Sequence, residues 1–163
     1  MTEAEWLNCT DNPRRMLGQL TPPVSGRKLR LLLCGYCRHF AHLLSDPRIL
    51  RAVEVSERFV DNRRATRTEL AVVNAALAAC NDLENRRPFE SILALCAVLA
   101  TMESVTGRDV GGLAAIPPRS REVSFDAWRR TQFDLVRELF GNSFRPVSAE
   151  PSWLTWNEDQ PLT

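Results

Sequence analysis

The chain has 163 residues, the size of one domain, and is 44% hydrophobic and 25% charged, a globular rather than a disordered composition. Its formal net charge of +1 excludes a global electrostatic pull toward nucleic acid or anionic lipid. The N-terminus carries Glu3 and Glu5 in place of a basic-then-apolar leader. The most apolar window, Ile92 to Ala100, falls short of the roughly 20 residues that a membrane-crossing helix needs. The expectation is a soluble chain.

In chain order, Thr2 and Glu5 have capping-box spacing and predict a short helix through Trp6 and Leu7. Asp11-Asn12-Pro13 starts a second, carrying Met16, Leu17 and Leu20 and ended by Pro22-Pro23. A third begins near Ser25, with Leu29, Leu32, Leu33, Tyr36, Cys37, Phe40, Leu43 and Leu44 on one side. After Ser45-Asp46-Pro47, a fourth has Ile49, Ala52, Val53, Ser56, Phe59 and Val60 inward, with Glu54 and Arg58 spaced to pair on the outside. Thr66 and Glu69 repeat the capping box and open a fifth helix through Leu70, Val73, Leu77 and Cys80.

Beyond a polar break at 81–88, Ile92 to Ala100 is apolar nearly all round and predicts a central helix. Thr106 to Arg121, with Gly107, Gly111, Gly112, Pro117 and Pro118, reads as a long loop. Ser124 caps a last helix to Phe140, whose expected buried side is Phe125, Trp128, Leu135, Val136, Leu139 and Phe140. Gly141-Asn142 supplies a left-handed stop, and Arg145 is placed to meet that helix's terminal carbonyls. No run alternates with a period of two. The expected fold is all-α: one domain, 1–163, made of an irregular bundle of about five to seven helices over 1–145 and an extended arm over 146–163.

The segments MTEAEWLNCTDNPRRML, GRKLRLLLCGYCRHFAHLLSDPRILRAVEVSERFVD and LFGNSFRPV, with PSWLTW after it, carry a resemblance. In them the chain resembles a large family of uncharacterised helical proteins expanded in planctomycete-type bacterial genomes. Family members look alanine-rich between the fourth helix and the FGN turn. Ala71, Ala75, Ala76, Ala78 and Ala79 follow that pattern, and Glu84 to Glu122 departs from it. The resemblance implies a small, helical, bacterial protein and carries over no activity and no catalytic residues.

Several constellations bear on function. The five cysteines (Cys9, Cys34, Cys37, Cys80, Cys96) are odd in number, and four sit in helical patterns, so reduced thiols in a cytoplasm are expected. Cys34-Gly35-Tyr36-Cys37, with His39 and His42 nearby, has the spacing of a metal half-site. However, Cys34 and Cys37 sit mid-helix without a second pair, so core packing is the stronger expectation and no cofactor is expected. A thioredoxin-like redox pair would need a helix N-terminus after a strand.

Residues 14–67 carry twelve basic and four acidic side chains, a local +8, offset by −3 before and −4 after. Arg14, Arg15, Arg27, Lys28, Arg30, Arg63, Arg64 and Arg67 are the candidate contacts for phosphate or an acidic partner. No phosphate-cradling loop, GxSxG or HExxH is present, and both histidines lie on one helix, so an enzyme is not expected. Trp153-Leu154-Thr155-Trp156 reads first as part of an extended arm packed across the bundle, with partner binding as the alternative. Together these features predict a helical module that binds another protein, with nucleic-acid binding through 14–67 as the alternative and metal binding at Cys34 and Cys37 as a weaker one. The oligomeric state stays open.

Overall fold

The computed structural model describes residues 1–20, 24–61, 66–102, 105–114, 116–118, 120–142 and 144–145. Arg63, Arg64 and the expected arm over 146–163 lie outside the described residues. Among the described residues there are eight α-helices and no strand: α1 (Glu3–Leu7), α2 (Pro13–Leu17), α3 (Gly26–His39), α4 (Pro47–Asp61), α5 (Arg67–Leu83), α6 (Pro88–Leu99), α7 (Gly107–Ala114) and α8 (Phe125–Phe140). A single 3-10 turn, Ala41–Leu43, joins α3 to α4. The fold is an all-α bundle.

Local signals start most of these helices where expected. Thr2 and Thr66 each accept from the backbone N–H three residues on, while Glu5 and Glu69 return the bond to the cap. Ser124 accepts from the N–H of Ala127. Gly141 stops α8 with φ of 64°, a backbone shape that costs glycine least. One helix was missed. The expected loop after Thr106 folds as α7, because Thr106 and Asp109 cap each other and Val110 and Leu113 are buried. Three glycines masked that two-residue apolar face.

The core lies where α3 and α6 meet α4, α5 and α8. Leu29, Leu32, Leu33, Tyr36, Cys37 and Phe40 fill it from α3 and its end, and Leu93, Ala94, Cys96 and Ala97 from α6. Phe40, Phe89 and Trp128 form a mutual aromatic cluster with centroids 5.1 to 5.7 Å apart, at tilted and edge-on angles that suit ring quadrupoles. Gly35 lets α8 approach α3: a Cβ there would stand 3.3 Å from Leu135 Cδ2. Ser56 joins α4 to α6 by donating to the carbonyls of Ala52 (2.7 Å) and Ala97 (2.8 Å).

Two expected side-chain placements are corrected. Phe125 is 49% exposed, with the Arg129 guanidinium 5.3 Å from its ring, and Thr131, Gln132 and Phe133 take the buried side with Trp128 and Val136. Arg145 pairs with Glu3 at 2.6 Å instead of the α8 carbonyls, because α1 brings a half-buried carboxylate alongside.

Candidate functional site

Cys34 and Cys37 both point into the core, 3% and 0% exposed. Burial pushes the Cys34 thiol up to about 12, and the nearby Cys37 adds to the shift. Cys37 donates to the Leu93 carbonyl at 3.2 Å. Hydrogen bonding to Cys96, and then burial, raises the Cys37 thiol well above its ordinary range. His39 turns outward, its Nε2 3.1 Å from Thr131 Oγ1, and His42 sits on the 3-10 turn. Among the described residues no group of three His, Cys, Asp or Glu side chains is placed to hold a metal ion.

The basic candidates are spread over three helices. Arg14 and Arg15 lie on α2, which packs on α7 and α8; Arg27, Lys28 and Arg30 open α3; Arg67 opens α5. Arg15 pairs with Asp11 at 3.0 Å, and the Lys28 ammonium stands 5.6 Å from the Phe140 ring centre. Arg30 is half-buried, its Nε enclosed without a hydrogen-bond partner. Within 14–67, Arg38 meets Glu57 at 2.6 Å and Arg48 bridges Asp46 and Asp82, so much of the local positive charge is compensated. Arg58 reaches the Glu54 carbonyl and the Glu69 carboxylate rather than the Glu54 carboxylate.

Two polar constellations escaped the sequence. Glu90, on α6 and only 4% exposed, accepts from the Ser45 N–H at 2.5 Å, the Asp46 N–H at 2.8 Å and the Ser45 hydroxyl at 3.0 Å. It thereby fixes the start of α4 from across the bundle. Arg129 and Arg137 of α8 hold the N-terminal segment: Arg129 donates to the Thr10 and Asp11 carbonyls, and Arg137 to the Cys9 carbonyl at 2.6 Å. An open cleft of about 330 Å³ beside Glu90 brings Arg86, Arg87 and Arg121 together, but Glu90 and Glu122 line it too. That mixture lacks the uniform sign of an anion trap.

The most distinctive surface belongs to α5. No charged residue occurs from Leu70 to Asn81 or from Ser91 to Met102. The inward side of α5 is built from small residues, Ala76 and Ala79, both fully buried. Two of its leucines face out, Leu70 53% and Leu77 44% exposed, while Leu83 at its end packs against the core. α5 turns into α6 through residues 84–87, and Ser91 Oγ donates to the Cys80 carbonyl at 2.9 Å. That bond ties the end of α5 to the start of α6 in an antiparallel pair. Met102 is 48% exposed, and Leu95, Val98 and Leu99 are the partly exposed residues of α6 after Pro88. The periodicity found the Leu70–Leu77 stripe but not the direction it faces.

Compared with known proteins, the chain matches no protein family, no curated protein and no solved structure. The structure defines its class: an all-α bundle whose fifth helix exposes Leu70 and Leu77 on a stretch, 70–81, without charged side chains. Among the described residues no helix is long and apolar enough to cross a membrane.

Proposed function

We propose that this chain is a non-enzymatic helical module of a bacterial cytoplasm that binds another protein through the outer face of α5 and the end of α6. The observation that carries the proposal is the exposure of Leu70, Leu77 and Met102 on stretches of chain, 70–81 and 91–102, that carry no charged side chain. Isolated exposed leucines are ordinary, whereas an apolar group free of charge marks an interface. Covering the exposed half of each of these side chains is worth about 1 kcal/mol, so the three together supply a useful share of a micromolar affinity.

Phosphate binding through the basic segment has less support, because Arg15 and Lys28 already engage Asp11 and Phe140. Metal binding at Cys34 and Cys37 is disfavoured by their depth in the core. The test is recovery of partners from the native cytoplasm by the wild-type chain and by Leu77→Asp. Loss of bound protein in the variant, with the fold intact by circular dichroism, is the expected result. Equal recovery by both chains would refute the reading.

A further inference from the structure

The outer stripe of α5 has a symmetry of its own. Asn74 is exposed and stands midway between Leu70 and Ala78, and midway between Ala71 and Leu77. Laying the helix antiparallel on a copy of itself with Asn74 at the centre sets like against like on the two sides of the seam. Leu70 then meets the second copy's Leu77 on one side, and Ala71 meets its Ala78 on the other. Small side chains along one side of such a seam let two helices approach to about 8 Å. The two Asn74 amides meet at the axis, where each offers a donor and an acceptor to the other. A single polar asparagine inside such a seam also selects one register over its neighbours.

Charge agrees with the antiparallel sense. Arg67 opens α5 and Glu84 follows its last residue, both exposed. In the antiparallel arrangement Arg67 is level with the second copy's Asn81, and Glu84 lies one turn further along, about 4.5 Å away and within an arginine's reach. This opposite-charge pair occurs at both ends. A parallel arrangement would instead bring arginine to arginine and glutamate to glutamate.

We infer that a second copy of the chain occupies this surface, through two antiparallel α5 helices related by a two-fold axis at Asn74. The inference rests on the interaction reading above and names its partner. A 17-residue helix is about 26 Å long, and a strip about 10 Å wide along it covers roughly 260 Å², to which the end of α6 adds. Standard interfaces cover about 800 Å² per partner, so the dimer is weak and forms with rising concentration.

Two measurements on the full chain test this inference. In sedimentation equilibrium up to hundreds of micromolar, the wild type self-associates, and Leu77→Glu weakens association about 30-fold or more, because symmetry counts each substitution twice. Under mild oxidation Asn74→Cys forms a disulfide-linked dimer while the wild type, with its native thiols, does not, since only a residue on the axis lies within disulfide reach of itself. A wild type that stays monomeric overturns the inference, as does association that neither substitution affects. Photo-crosslinking from position 77 in cells separates the two readings. A product of twice the chain mass supports self-pairing, whereas a product with a different protein, or a link within one chain, overturns it. A different protein would still leave the interaction reading standing, and absence of any product would remove both.

Discussion

Replacing Glu90 with alanine tests how a single side chain of α6 holds the start of α4. The substitution removes the acceptor for the Ser45 N–H, the Ser45 hydroxyl and the Asp46 N–H, and it leaves the Arg87 guanidinium, 3.3 Å away, without its carboxylate. A charged acceptor contributes about 1.5–3 kcal/mol per hydrogen bond, and a buried donor left without one costs about 1–3 kcal/mol. Ser45 is exposed and water can take over part of its bonding. The expected loss is therefore about 2–4 kcal/mol, toward the lower end of what breaking a buried charge network costs. For a chain of this size that corresponds to a melting temperature lower by roughly 5–15 °C. Glu90→Gln keeps the volume and one acceptor oxygen and should lose about half as much. Urea unfolding followed by tryptophan fluorescence, with Trp6 and Trp128 both buried, gives the free energies directly. A Glu90→Ala protein within about 0.5 kcal/mol of wild type would show that this carboxylate does not cap α4.

Acid should weaken the fold in a defined window. The Arg38 guanidinium holds the Glu57 carboxyl below its usual range, and Arg48 does the same for Asp46. A folded-state pKa below the unfolded value adds stability that is complete above the unfolded value and disappears as the pH falls through the folded one. Urea midpoints should therefore stay flat down to about pH 5 and fall below about pH 4, less steeply in Glu57→Gln. A steep loss between pH 7 and pH 5 would contradict this. Thiol reagents at neutral pH should label half-buried Cys80 first and leave Cys34, Cys37 and Cys96 untouched until the chain unfolds, and rapid native labelling of Cys34 would refute its burial. Gln132 is fully buried with both amide atoms unpartnered, so Gln132→Leu should stabilise the chain by about 1 kcal/mol, and a destabilised variant would mean that the amide is satisfied in solution.

Features written within a few neighbouring residues were legible in advance. Thr2 with Glu5, Thr66 with Glu69, and Ser124 mark helix starts because a cap and its acceptor lie three residues apart in sequence. The inner stripes of α3 and α4 followed from period 3.6 alone, and Leu29, Leu33, Ile49 and Val53 are buried as expected. Longer-range facts were hidden. Helical period places Leu70 and Leu77 on one stripe, but only packing against α4 and α6 decides that Ala76 and Ala79 face the core instead. Nothing near Glu90 in sequence marks it for burial, which follows from two backbone donors some 45 residues away. Arg129 and Arg137 likewise gain their role from carbonyls at the opposite end of the chain. Of the basic candidates among the described residues, Arg14, Arg15, Arg27, Lys28 and Arg67 are exposed as a binding role requires, while Arg30 is half-buried.

The central claim is that the outer face of α5 is where this protein meets its partner, and site-specific photo-crosslinking in cells tests it most directly. A crosslinker at Leu77 should give a discrete protein adduct that one at Glu54, exposed on the charged outer side of α4, does not give. Equal adducts from both positions, or none from Leu77, would contradict the claim.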